Sequence, residues 1–215
     1  MCKSVQDVLK SLIRPDYLPS LQMLLNEVFS PRESIAELAE LRELEETLGK
    51  CAEEMNLHAS KEFVQTALQL HSGLKQWKSV ILVGPPGKGK SCIYRVLAAA
   101  LGRLKRENTE CLKVLTHSIT PESLPLEYFF GQSVASNVPP YIENKQNIFK
   151  EGILQTVIKK ITEDTSAESM HWIVLHASSN LQWIERMRYL LEGNDLILDS
   201  GEYLHSPYNS RFILE

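Results

Sequence analysis

The chain has 215 residues, enough for one domain or for one domain with a helical appendage. It is 43% apolar and 23% charged, so it can build a core and is not a disordered chain. Its 23 Lys and Arg against 27 Asp and Glu leave a net charge of −4, which excludes a dedicated nucleic-acid binder with a basic face, and no apolar run approaches the roughly 18–20 residues of a membrane span.

In chain order, the first sixty residues read as helices. Val5, Val8, Leu9, Leu12 and Ile13 recur at helical spacing, and Leu18, Leu21, Met23, Leu24, Leu25 and Val28 do so after Pro15 and Pro19. Ser30-Pro31-Arg32-Glu33 is a capping box with proline at the first helical position, and it predicts a helix running to about Asn56. Ile35, Leu38, Leu41, Leu44 and Leu48 give that helix one apolar stripe, short in heptads and suited to packing on a neighbouring domain, with a coiled-coil partner as the alternative. Ser60 caps a second helix carrying Phe63, Val64, Ala67, Leu68 and Leu70.

From residue 79 the pattern changes. Ser79–Val83 reads as a strand apolar on both faces, followed by a glycine-rich turn, a helix from Lys90 to about Leu104 and a strand near Leu112–Leu115. A short helix is expected in Pro121–Phe130 and a surface loop in Val134–Asn147. A helix over Glu151–Thr162, a strand Trp172–Leu175, a helix Leu181–Leu191 and strands Leu196–Leu198 and Phe212–Leu214 complete the chain. Alternating strands and helices predict an α/β fold, a parallel sheet flanked by helices, with a helical lead-in over 1–58 and a P-loop domain over 59–215.

Gly84-Pro85-Pro86-Gly87-Lys88-Gly89-Lys90-Ser91 satisfies G-x-x-x-x-G-K-[ST] at every fixed position, between an apolar strand and an amphipathic helix. The glycines let backbone N–H groups turn inward to phosphate oxygens, and the helix that follows presents the positive end of its dipole to the same anion. Lys90 suits the β- and γ-phosphates and the Ser91 hydroxyl suits Mg2+, so ATP or ADP with Mg2+ is the expected ligand. Lys88 either adds a phosphate contact or faces solvent. Thr116 and Ser118 close a strand at the sheet edge where ligands collect, Trp77, Trp172 and Trp183 read as rim and core packing, and Cys92 as a small apolar residue.

Hydrolysis also needs a carboxylate at the end of a second buried strand. Trp172–Leu175 ends instead in His176-Ala177-Ser178, and imidazole is a poor donor for a cation that demands oxygen. Leu196-Ile197-Leu198-Asp199 has the apolar run and the acid, but a Gly193-Asn194 turn before it and Ser200-Gly201 after it suit one arm of a hairpin better. No catalytic residue is assigned.

These segments resemble a family. VILVGPPGKGKSCIYRVLAAAL, SITPESLPLEYFFGQ, FKEGILQTVIKKI, WIVLHASSNLQWIERMRYLLEGNDLILDSGE and RFILE are similar, in order and spacing, to the second AAA+ module of dynein heavy chains, over about Ser60–Glu215. The helical stretch from Cys2 to Phe29 looks like the lead-in to that module. His176 stands where the family has its magnesium-binding aspartate, Arg188 near its usual asparagine, and Leu191–Asp195 forms an altered acidic turn, as in degenerate relatives tied to sperm flagella.

The resemblance implies a module that binds ATP without hydrolysing it, in a structural or regulatory role, with Mg2+ held through Ser91 and weakened by His176. It places Asp199 in a hairpin arm and implies that the lid subdomain and the arginine finger are absent. Implied partners are other dynein-like AAA+ modules or dynein intermediate and light chains, with microtubules reached only indirectly and neither nucleic acid nor membrane bound. Two alternatives stand beside it: a weak ATPase using Asp199, and an assembly fragment that docks partners without nucleotide. Cys2, Cys51, Cys92 and Cys111 lie far apart with no C-x-x-C pair, and the N-terminus lacks the apolar core of a secretory signal. The expected location is cytoplasmic and cytoskeletal, extending by resemblance to the cilium or flagellar axoneme.

Overall fold

The computed structural model describes Tyr17, Ser20 and residues 35–107, 113–134, 148–164, 169–176 and 182–215. The expected helices before residue 30, the capping box at Ser30–Glu33, most of the Val134–Asn147 loop, and Cys2, Cys111, Ala177, Ser178 and Leu181 lie outside the described residues. The chain forms two compact units, Met1–Glu43 and Leu44–Glu215. In the first, the described part is Tyr17, Ser20 and the opening of helix α1 (Ile35–Glu54); everything below concerns the second.

Within it, Leu44, Leu48, Cys51 and Ala52 of α1 are buried, as the apolar stripe predicts for Leu44 and Leu48. Helix α2 (Lys61–Gln76) begins at Ser60, whose hydroxyl accepts from the Phe63 N–H at 3.2 Å, and it buries Val64, Ala67, Leu70 and Leu74. Strand β1 (Ser79–Ile81) leads through the glycine turn to α3 (Lys90–Glu107) and then to β2 (Lys113–Ile119). The Pro121–Phe130 segment splits into a 3-10 turn, Pro121–Ser123, and α4 (Leu126–Phe130), because Pro125 cannot continue the first. A hairpin that the sequence pattern did not reveal, β3 (Gly131–Val134) with β4 (Ile148–Glu151), comes next, then α5 (Ile153–Glu163), β5 (Ser169–Leu175) and α6 (Gln182–Glu192). The antiparallel pair β6 (Leu196–Ile197) and β7 (Tyr203–Leu204) precedes β8 (Ser210–Leu214).

Four of these strands form a parallel sheet in the order β1-β8-β5-β2. Alternation along the central strands feeds two cores. Trp172 and Val174 of β5 and Ile213 of β8 join α1, α2 and α3 on one face. Ile173 and Leu175 of β5 with Phe212 and Leu214 of β8 join α4, α5 and α6 on the other. This is the three-layer α/β arrangement expected of a AAA+ P-loop domain.

Strand β1 differs from its expected double burial. It lies at the border of the four, paired on one side with β8, and Ile81 and Val83 are 66% and 90% exposed. Its start is tied to β8 by the Lys78 ammonium, which donates to the Pro207 carbonyl and, at 3.0 Å, to the Ser210 hydroxyl. Burial, and secondarily the Arg211 charge, brings the Lys78 pKa down to about 8. Among the described residues no helix is long and apolar enough to cross a membrane.

Candidate functional site

Past Ile81 the chain stays against β8 for one more residue, with the Leu82 N–H donating to the Leu214 carbonyl at 2.7 Å. It then opens into the exposed loop Gly84–Lys88. Gly87 and Gly89 adopt φ of 79° and 80°, the left-handed region in which side chains other than glycine are strained. The Ile93 N–H donates to the Gly89 carbonyl at 3.1 Å, so the first turn of α3 is continuous with the loop and its early N–H groups face the same space. Lys90 folds back over the loop, its ammonium donating to the carbonyls of Gly84 at 2.8 Å and Pro85 at 3.3 Å. Pro85, Pro86 and Lys88 are exposed.

Ser91 reaches across to the end of β8. Its hydroxyl donates to Glu215 Oε1 at 2.6 Å, and the same oxygen lies 3.0 Å from His176 Nδ1 at the end of β5. A carboxylate can only accept, so Nδ1 carries the proton of that pair. The other ring nitrogen, Nε2, lies 2.5 Å from the Ser118 hydroxyl at the end of β2, which donates to it in the neutral ring. Four side chains from α3, β8, β5 and β2 thus form one hydrogen-bonded line along the carboxyl edge of the sheet. The Glu215 side chain is 10% exposed, and its Oε2 is buried with no hydrogen-bond partner.

His176 is therefore the hydrogen-bonded residue at a strand end that its position suggests, with both ring nitrogens engaged. The missing acid after β5 is as the sequence has it, and the sheet adds a carboxylate from another strand. β5 ends without one, but β8 lies between β1 and β5 and ends in Glu215. Sequence reasoning took Phe212–Leu214 as a closing strand and passed over the glutamate after it. The signal, an apolar strand followed by a carboxylate, was present, but its relevance depends on β8 pairing with β1.

Asp199 is not part of this line. It sits past β6 in the exposed hairpin, where both carboxylate oxygens accept from Arg186 at 2.9 and 3.0 Å. The hairpin arm is thus the observed conformation. Trp172 and Trp183 are buried in the two cores and Trp77 is 42% exposed, so their packing roles hold.

Oxygen donors suit Mg2+, and the site has them in Ser91 Oγ and Glu215. A buried carboxylate oxygen lacking a partner is costly unless a ligand satisfies it, so the residues present fit a divalent cation.

Residues 1–91 match the family model described as the hydrolytic ATP binding site of the dynein motor region. The match ends at Ser91, so it includes the glycine loop and none of β5 or β8. The chain is 28% identical to a cytoplasmic dynein heavy chain of Paramecium tetraurelia in an alignment covering the whole chain. It is 27% identical to cytoplasmic dynein 2 heavy chain 1 of Caenorhabditis elegans over 89% of its length, and 27% identical to human dynein axonemal heavy chain 6 over 72%. In each case it spans about 4% of the relative. In its parallel sheet, its glycine loop and these matches, the chain is similar to the AAA+ modules of the dynein heavy chain motor region.

Proposed function

We propose that the module binds ATP or ADP at Gly84, Pro85, Pro86, Gly87, Lys88, Gly89, Lys90 and Ser91, and holds the nucleotide rather than cleaving it. The observation that carries this reading is the loop itself: two left-handed glycines run directly into the N-terminus of an 18-residue helix, leaving backbone N–H groups for a polyphosphate. On binding, Lys90 exchanges the Gly84 and Pro85 carbonyls for phosphate oxygens. Ser91 is the loop residue that would hold Mg2+, which when bound would neutralise phosphate charge. Slow or absent cleavage is supported by His176-Ala177-Ser178, which put no carboxylate after β5 to activate water. The only acid in the hydrogen-bonded line described above, Glu215, is bonded to Ser91 and His176.

Within this reading the module serves a structural or regulatory role beside other dynein-like AAA+ modules, follows the second module of the ring, and meets microtubules only through the assembly. The names of its relatives, cytoplasmic and axonemal dyneins, favour a cytoskeletal location that includes cilia. Fluorescent ATP titration tests the site. Lys90→Ala is expected to weaken binding at least about tenfold, and equal binding by both proteins sinks the nucleotide reading. Phosphate release is expected to match the Lys90→Ala background. Release above it that Asp199→Asn abolishes would favour the weak-ATPase alternative.

A further inference from the structure

We infer that Glu215 supplies the cation-binding carboxylate of this site, from the end of β8 rather than from the end of β5. The inference rests on the nucleotide reading and names the residue that completes it. At the end of β5, where a P-loop enzyme needs an oxygen donor, stands an imidazole whose two nitrogens are already spent on Glu215 and Ser118. His176 is thus unavailable as a ligand without breaking one of those bonds. One strand closer to the loop, Glu215 Oε1 sits 2.6 Å from Ser91 Oγ, the hydroxyl that follows the loop lysine. Its second oxygen is buried and has no partner. A carboxylate so placed offers one oxygen already held by neighbours and one open for coordination, and a divalent cation is the ligand that matches both its charge and its hard oxygen.

His176 then acts as a positioning residue. Its Nδ1–H fixes the carboxylate rotamer, and Ser118 fixes the ring in turn. Ligating carboxylates are commonly oriented by such an outer hydrogen bond. Because the donors nearest the cation would be oxygens alone, the site would keep the preference for Mg2+ that an imidazole ligand would erode.

The test compares fluorescent ADP affinity in Mg2+ and in EDTA for the whole chain, Glu215→Gln and Glu215→Asp. In the wild type, Mg2+ is expected to tighten binding about tenfold or more. Glu215→Gln is expected to lose most of that gain, and its ADP binding in EDTA reports that it has folded. Glu215→Asp keeps a carboxylate and is expected to retain part of the gain. A full Mg2+ effect in Glu215→Gln, or no Mg2+ effect in a wild type that binds ADP, overturns the assignment while leaving nucleotide binding intact. No ADP binding in either condition overturns both. Independently of any variant, pulsed EPR of Mn2+ bound with ADP to the wild type is expected to lack imidazole nitrogen coupling. Detecting that coupling would make His176 the ligand and remove Glu215 from the role.

Discussion

His176 Nδ1 and Glu215 Oε1 face each other at 3.0 Å, joining the ends of two neighbouring parallel strands, β5 and β8. The pair combines a donor and an acceptor, and that choice sets the outcome of restoring an aspartate there. His176→Asp brings two carboxylates to about the same separation, and like charges so close oppose each other's ionisation. Without cation the variant is expected to melt below the wild type at pH 8 and to recover as the pH falls towards 5, where one carboxyl takes a proton. Mg2+ with ATP is expected to raise its melting temperature more than it raises that of the wild type. Thermal unfolding at two pH values, with and without Mg2+ and ATP, checks both statements.

The glycines of the loop and of the helix after it predict opposite signs. At Gly89, with φ of 80°, an added Cβ would meet only Cys92 Cβ at 4.0 Å, so the penalty of Gly89→Ala is backbone strain rather than a clash. That strain is on the order of 1–2 kcal/mol and falls on the loop, so reduced ATP affinity is the expected result. Gly102 lies inside α3 with nothing within 4 Å of its added Cβ. Gly102→Ala is expected to stabilise the fold by about 0.5–1 kcal/mol through lower unfolded-state entropy and better helix propensity. Urea denaturation, together with ATP titration of each variant, separates the two.

Acid is expected to weaken the fold before carboxylates titrate. His71 on α2 has its pKa pushed down to about 4 by burial, with the nearby Lys75 charge adding to it. The unfolded chain therefore binds the proton more tightly than the native one between about pH 6.5 and 4. The stability that neutral His71 permits is complete above pH 6.5 and is lost as pH falls towards 4. His117, held below its ordinary value by burial and then by the His171 and Lys160 charges, acts in the same direction. Urea midpoints measured from pH 7.5 to 4.5 are expected to fall, and His71→Gln is expected to flatten part of that slope.

Much of this was visible in the residues themselves. The glycine loop, the Ser60 cap and the buried run from Trp172 to Leu175 are local signals, each decided within a few positions. The β6–β7 turn was also local, since Gly193-Asn194 and Ser200-Gly201 bracket its first arm. The β3–β4 hairpin was not, because its strands flank the long Val134–Asn147 segment and neither has a strong period of two. Glu215 was hidden for another reason. Its partner Ser91 is 124 positions away, and only the strand order makes them neighbours. The exposure of Ile81 and Val83 had the same origin, since apolar composition does not report which strand borders a sheet.

The order β1-β8-β5-β2 carries a consequence for biogenesis. Among the described strands, the one that bridges β1 to the others is the last to be translated, so the glycine loop waits on it with its strand unpaired. Closing so long a span is slow, and a nascent chain released before β8 would expose unpaired strand edges and apolar side chains that favour aggregation. Ribosome stalling just ahead of residue 210 should therefore leave this module dependent on chaperones, whatever nucleotide the cell supplies.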